Sequence, residues 1–370
     1  MIPEILQPHR KAVSYCANCP KMCRFACPVA LASGSESDTP TAKAHVVRQV
    51  MTGSLPLTPA TAQPFYRCSE CLHSRTHCEH RIEVADHFQA ARALAVRAGA
   101  EPPAVRRVDE SLRRHGNPFG RDLSRAIDDA VPARLRRGDA PVAYFPGCVA
   151  LAHQPEVVRA TIRLLEWLGV KFTVYAATEG CTGYPALSGG YVETFRAQAQ
   201  RQHEALSRFA TVITSCPACA HTFETRYPEN GYLLPPRVAH VSEFLMDHAA
   251  WMVRAPLDVK PAVYHDPCFL GRYRRTYEPP RVLLGQALGE PPREFVRNRR
   301  DAGCCGAGGL LPRSNPEIAR EIGRTRLREA ADTGARTLVT ACPSCRHWFK
   351  KLDPALDVRD LVELLAPPTA

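Results

Sequence analysis

Sixteen cysteines fall in this 370-residue chain at spacings suited to holding metal or inorganic clusters rather than to stapling a fold. A chain of this length buries enough apolar surface to fold without cross-links. Seven of the cysteines lie between Cys16 and Cys78 and nine between Cys148 and Cys345, with none between the two groups. The first group begins with Cys16, Cys19, Cys23 and Cys27-Pro28, a C-x2-C-x3-C-x3-C-P run. Spacings this short let one loop wrap three thiolates around a compact core, while the Cys-Pro step turns the chain and sends the fourth thiolate elsewhere. The last five of the second group read Cys268, Cys304-Cys305-Gly306, Cys342 and Cys345, or C-x35-C-C-x36-C-x2-C. Five thiolates from three loops exceed the four of a tetrahedral zinc site. Adjacent cysteines do not easily face one small ion, but they can reach different irons of a larger core.

The first run is one residue longer than the C-x2-C-x2-C-x3-C-P run of two-cluster ferredoxins, in which the fourth cysteine serves the other cluster. A second run is therefore expected, and Cys68, Cys71 and Cys78 supply it in part. The missing third ligand falls at Ser74, and His80 replaces the proline. Cross-ligation groups Cys16, Cys19, Cys23 and Cys78 at one site, and Cys27, Cys68 and Cys71 at another, with Ser74 at its fourth corner. The second site reads as a three-iron cluster, or as a four-iron cluster completed by an oxygen, His73 or His77. A structural zinc is the alternative at each run. His45 and His153 read as ordinary surface or core residues.

Beyond the cysteine-free middle, strands and helices alternate in α/β order. Val142–Phe145, Lys171–Tyr175 and Thr211–Thr214 are strand-like, whereas 156–168 and 194–209 are helical; an earlier helix is expected at 87–98. The pattern then repeats. Phe145-Pro146-Gly147-Cys148 corresponds to His265-Asp266-Pro267-Cys268, Gly180-Cys181-Thr182-Gly183 to Gly303-Cys304-Cys305-Gly306, and Cys216-Pro217-Ala218-Cys219 to Cys342-Pro343-Ser344-Cys345. These offsets of 120, 123 and 126 residues indicate a duplicated domain. In the first copy Thr182 replaces one cysteine of the pair, leaving Cys148, Cys181, Cys216 and Cys219 for a cubane or a zinc, or as a structural remnant. Cys-Pro-x-Cys alone also suits a redox dithiol, but a dithiol needs neither the Cys-Cys-Gly partner nor a duplication.

The expected fold is α+β and multidomain. It comprises a mostly helical two-cluster ferredoxin-like module (1–98), a helical linker (99–140), and two α/β cysteine-rich modules (141–255 and 256–370). The linker carries the turn signal Gly116-Asn117-Pro118-Phe119-Gly120. Residues Met1 to Tyr15 lack the apolar stretch of a secretory signal, and Arg, Pro, Glu and His interrupt every apolar segment before it reaches spanning length. A cytoplasmic protein without its own membrane span is expected, bound at most peripherally through a partner. The net charge of +11 comes from scattered arginines rather than one basic arm, which argues against nucleic-acid binding.

Together these motifs resemble the cysteine-rich (CCG) domain family of iron–sulfur proteins, especially those similar to the D subunit of heterodisulfide reductase, the iron–sulfur subunit of glycolate oxidase and the C subunit of anaerobic glycerol-3-phosphate dehydrogenase. The resemblance covers nearly the whole chain. It implies electron transfer between a flavoprotein dehydrogenase, or a membrane subunit, and a quinone, membrane or thiol-disulfide acceptor. It also implies 4Fe-4S clusters, one ferredoxin site being 3Fe-4S in the alternative, and a noncubane four-iron cluster at Cys268, Cys304, Cys305, Cys342 and Cys345. If the protein reduces disulfides itself, Cys304 and Cys305 carry the chemistry. A zinc-stabilised scaffold without redox activity is the third alternative.

Overall fold

A computed structural model describes residues 2–136, 138–175, 180–234, 237–248, 259 and 261–367. The chain mixes helices with two small parallel sheets. The N-terminal part is helical, and prolines set where its helices begin. Pro28 and Pro40 occupy the first turns of Pro28–Ser33 and Pro40–Thr52, where a missing N–H costs nothing. Thr39 caps the second of these by accepting the Ala42 N–H at 3.3 Å. The expected helix over 87–98 is found as Val84–Arg97, and its buried Phe88, Ala91 and Ala95 pack into the same core as Val47, Met51, Phe65 and Tyr66.

Residues 99–140 include helices Pro103–His115 and Ser124–Ala130. The first buries Val105, Val108 and Leu112 at i, i+3 and i+7, which sets its apolar face inward. Asn117 then ties the turn, donating from Nδ2 to the His115 and Arg121 carbonyls at 2.9 Å each.

The first sheet has order β2-β1-β3-β4, with β1 Val142–Phe145, β2 Phe172–Val174, β3 Thr211–Thr214 and β4 Arg237–His240. The second has order β5-β6-β7, with β5 Ala262–His265, β6 Thr337–Thr340 and β7 Asp357–Asp360. All ladders are parallel. The expected strands at 142–145 and 211–214 are observed, that at 171–175 narrows to three residues, and the expected helices are Pro155–Trp167 and Val192–Leu206. The duplication extends beyond the cysteines. Ala143 pairs with Thr173, and 120 residues later a single parallel bridge joins Val263 to Arg293, so the counterpart of β2 survives as one residue. Each sheet also ends in a capping box, His240 with Glu243 and Asp360 with Glu363.

The two repeats share one apolar core. Tyr144, Ile213, Phe244 and Leu245 of the first pack with Tyr264, Leu270, Leu283, Leu361 and Leu364 of the second. The boundary expected at 255/256 lies outside the described residues. The N-terminal helices share one apolar core with the first repeat, where Val47, Phe65 and Phe88 join Phe145, Phe195 and Val212, and another with the second, where Val29 and Ala30 join Leu311, Ile322 and Trp348. A fully buried ion pair, Arg92 to Glu70 at 2.6 Å, lies at this junction. Arg92 also donates to the carbonyls of Phe65 (2.8 Å), Ser188 (2.7 Å), Cys68 (3.2 Å) and Gly309 (3.3 Å). Glu70 in turn accepts from Tyr184 and Ser188 of the first repeat, at 2.9 and 3.0 Å. Gly308 and Gly309 lie directly on the Cys68–Ser69 backbone; a Cβ on Gly309 would stand 2.1 Å from the Cys68 carbonyl oxygen. Only residues without side chains permit this approach.

Candidate metal centres

Cys16 closes helix Arg10–Ala17, Cys19 and Cys23 follow in its loop, and Cys78 comes from the second run. The four line one cavity of about 480 Å³ beside Tyr15 and His80. Burial pushes the Cys16 thiol up to about 12, and Cys23, Cys78 and Cys19 add to the shift. Burial also pushes Cys23 up to about 12, followed by Cys27, Cys78 and Cys19. Cys27 is in extended backbone with Pro28 opening the next helix, so its side chain leaves this loop. It lines a second, 20 Å³ cavity with Cys68, Cys71, Lys43 and Ser74. Ser74 lines both cavities. His73 and His77 sit apart from this space, grouped with Asp301, and His77 Nε2 stands 3.5 Å from the Asp301 carboxylate. His45 is exposed, and His153 stacks on His347 at 4.2 Å between ring centroids.

In both repeats the first cysteine and the Cys-Pro-x-Cys pair follow strand ends, at the edge where parallel sheets gather ligands, whereas Cys304 and Cys305 follow only the bridge at Arg293. The first repeat brings Cys148, Cys181, Cys216 and Cys219 together. The Cys148 thiol is raised by its hydrogen bond with Cys181 and by burial, and Cys219 by Cys216 and burial. Thr182 keeps the loop's shape without its sulfur. Its Oγ1 accepts the Tyr184 N–H at 3.4 Å, as Cys305 Sγ accepts the Ala307 N–H at 3.5 Å in the second repeat. The preceding pair matches as well: Cys181 accepts from Gly183 N–H at 3.4 Å and Cys304 from Gly306 N–H at 3.3 Å.

In the second repeat Cys305 and Cys345 sulfurs are 3.2 Å apart. Hydrogen bonds from Cys304 and then Cys345 drive the Cys305 thiol well down, whereas Cys345 is raised by Cys305, Cys342 and burial. Burial raises the Cys268 thiol, and Cys304 and Cys305 add to this. The site also reaches the N-terminal module. Cys71 is raised first by its hydrogen bond with Cys304, and Cys304 Sγ lies 3.6 Å from Ser69 Oγ. Four residues around these sulfurs carry no signal in cysteine spacing: Lys43, Arg272, His265 and Arg326. Arg272 is buried among Cys71, Cys268 and Cys304, and donates to the Cys71 and Ala302 carbonyls at 2.5 and 2.7 Å. His265 is legible only by aligning the repeats, where it replaces Phe145.

All sixteen cysteines are free thiols. The upward shifts at Cys16, Cys23, Cys148, Cys219, Cys268 and Cys345 mean that these thiols would hold their protons when nothing is bound, whereas a cationic core among them would stabilise the thiolates. The donor sets therefore fit iron–sulfur clusters or other thiolate-bound metal. Sulfur cages at the ends of duplicated parallel strands define the class as a cysteine-rich-domain protein. The family model described as the cysteine-rich domain, CCG, matches residues 142–224 and 262–350. The D subunit of the dihydromethanophenazine:CoB–CoM heterodisulfide reductase of Methanosarcina acetivorans is 30% identical over 315 residues, 81% of this chain and 76% of that one. The B subunit of the CoM/CoB fumarate reductase of Methanothermobacter marburgensis is 28% identical over 286 residues, covering 77% and 56% of the two chains. A probable membrane-anchored ferredoxin of Chromohalobacter salexigens is 30% identical over 327 residues, covering 82% and 48%. The chain belongs to the CCG cysteine-rich-domain family of iron–sulfur proteins, among the members similar to the D subunit of heterodisulfide reductase.

Proposed function

We propose that the protein is an iron–sulfur electron-transfer subunit of an oxidoreductase complex. Clusters held at its cysteines would accept and release single electrons. The observation that carries this reading is the continuity of the sulfur sites. Cys27 leaves the Cys16 loop for the cavity of Cys68 and Cys71, and Cys71 meets Cys304 of the C-terminal site. Electrons would enter beside Cys16, Cys19, Cys23 and Cys78, whose cavity opens near exposed Tyr15 and Met22. They would pass through Cys27, Cys68 and Cys71 to Cys268, Cys304, Cys305, Cys342 and Cys345. The partners on this reading are a flavoprotein dehydrogenase or a membrane electron-transfer subunit. No helix among the described residues is long and apolar enough to cross a membrane.

One observation favours a second reading, reduction of a small disulfide at the C-terminal site. A cavity of about 440 Å³ reaches Cys304 between the two modules, lined by His73, Arg297, Arg326, Arg328 and Glu321. A disulfide there would take two electrons from the site and two protons from solvent to leave as two thiols.

Anaerobic metal and acid-labile sulfide analysis tests both readings. Roughly 8–16 irons per chain with matching sulfide are expected. A colourless protein holding only zinc would refute them. Disulfide turnover with a reduced dye separates the second reading from the first.

A further inference from the structure

Because the repeats share their loop path, the residues that differ at the sulfurs isolate what the C-terminal site has and the first lacks. Besides Thr182 against Cys305, two differences stand out. Phe145 at the end of β1 corresponds to His265 at the end of β5. Helix Val192–Leu206 begins 124 residues before Pro316–Asp332, so Gln202 corresponds to Arg326. The first site thus has an aromatic hydrocarbon and a neutral amide where the second has an imidazole and a guanidinium.

His265 is buried and offers a ring nitrogen within 4.8 Å of the Cys305 and Cys345 sulfurs. Two cysteines and a histidine at such distances would ordinarily read as three ligands of one metal ion. The hydrogen bonding argues against that. Arg326 Nε donates to His265 Nδ1 at 3.1 Å. A guanidinium keeps its protons and has no acceptor, so Nδ1 must present a lone pair and the imidazole hydrogen must sit on Nε2. Arg326 has no freedom to turn away. It lies over the Phe295 ring, 3.4 Å from its centroid, and Nη1 bonds to Glu329 at 2.7 Å and to the Arg297 carbonyl at 3.3 Å. An imidazole with one nitrogen engaged by a donor and the other protonated has no lone pair left for a metal.

We propose that His265 is not a ligand but an N–H donor to the sulfur of the C-terminal site, with Arg326 as the positioning residue that fixes its tautomer. Hydrogen bonds to cluster sulfur favour the more negative, reduced form and raise the reduction potential. The C-terminal site therefore sits at a higher potential than it would with a phenylalanine there, and electrons arriving through Cys71 are drawn toward it. This rests on the reading that Cys268, Cys304, Cys305, Cys342 and Cys345 hold a cluster.

The test is an EPR-monitored redox titration of the full chain, prepared anaerobically, as wild type and His265→Phe, with iron and labile sulfide measured on the same samples. The expected result is unchanged iron and sulfide, with the C-terminal signal alone moved to lower potential. At a fixed potential its reduced-to-oxidised ratio should fall at least about tenfold, roughly 59 mV for a one-electron couple. His265→Gln, which keeps an N–H donor, should recover part of the shift. An unchanged midpoint at full iron content would overturn the proposal, and so would loss of iron from that site alone, since a ligand rather than a donor would then have been removed. If His265→Phe does not fold, nitrogen-15 histidine labelling of the wild type decides. A weak nitrogen coupling at the C-terminal signal supports a hydrogen bond, and a strong one, as from a bound nitrogen, refutes it. Absence of labile sulfide in the wild type would instead sink the cluster reading itself.

Discussion

Replacing Arg92 with methionine should weaken the junction between the N-terminal helices and both repeats, leaving the apolar cores they share in place. The side chain is fully buried, and its guanidinium serves one carboxylate and the carbonyls of Phe65, Cys68, Ser188 and Gly309. Methionine fills much of the volume but offers no donor. Glu70 would keep its bonds from Gln89, Tyr184 and Ser188 while losing its only countercharge among the described residues. Breaking one side of a buried pair costs about 3–5 kcal/mol. With roughly 2.1 cal/mol/K of unfolding entropy per residue over 370 residues, that corresponds to a melting shift of about 4–6 °C. Differential scanning calorimetry of wild type, Arg92→Met, Glu70→Gln and the double variant would measure both the loss and the coupling. The double variant should lose less than the sum of the singles, because neutralising Glu70 removes the stranded charge. A shift below about 1 °C for Arg92→Met, or strict additivity, would refute the claim that this pair stabilises the junction.

Three further outcomes are expected. Ser74→Cys places a thiol in the small cavity with Cys27, Cys68 and Cys71. On the three-iron alternative it raises iron by about one per chain and changes that site's EPR signal. Gly309→Ala meets the Cys68 carbonyl at a φ of +63°, so it should cost about 2–3 kcal/mol and displace the Cys68 loop. Iron analysis should then show loss at the Cys27, Cys68 and Cys71 site with the Cys16 signal retained. His87 is buried with both ring nitrogens unpartnered, and burial lowers its pKa from 6.5 to about 3. Its contribution is complete above pH 6.5 and declines as pH falls toward 3, because only the unfolded chain takes up the proton readily. In His87→Leu the stability lost between pH 7 and 5 should therefore be smaller by about 2 kcal/mol, read from denaturant midpoints.

Much of the fold was legible because local signals agreed. The helix expected from 156 opens at Pro155, and apolar β-branched runs bounded by turns gave β1 and β3, whereas the helices opening at Pro28 and Pro40 were not anticipated. The three-residue β2 was broader in sequence than in structure, since Lys171 and Tyr175 extend its strand-like pattern beyond the ladder. The duplication was legible at the cysteines, while the one-residue relic at Arg293 needed backbone pairing to be seen. Spacing rules find thiolates that share a loop. They are blind to Cys71 meeting Cys304 across 233 positions, and to Glu70 and Arg92, two unremarkable charges until folding buries them together.

The placement of buried cations has the same origin. Lys43 and Arg272 are buried, yet neither forms an ion pair with a carboxylate among the described residues. Lys43 donates to the Arg67 carbonyl at 2.5 Å, and its charge acts on Cys16 and Cys68. Arg272 bonds to carbonyls alone, and the charges nearest it are Cys71, Cys268 and Cys304. A buried cation without an anion is costly by several kcal/mol, and thiolates bound to a cluster would supply the countercharge. Thiolates crowded this closely are in turn costly without metal. On the proposed reading cation, thiolate and cluster form one electrostatic unit: Lys43 lies between the two N-terminal sites and Arg272 at the junction with the C-terminal one. The positive charge that reads in sequence as a scattered surplus is thus placed in part where an electron, on arrival, adds negative charge.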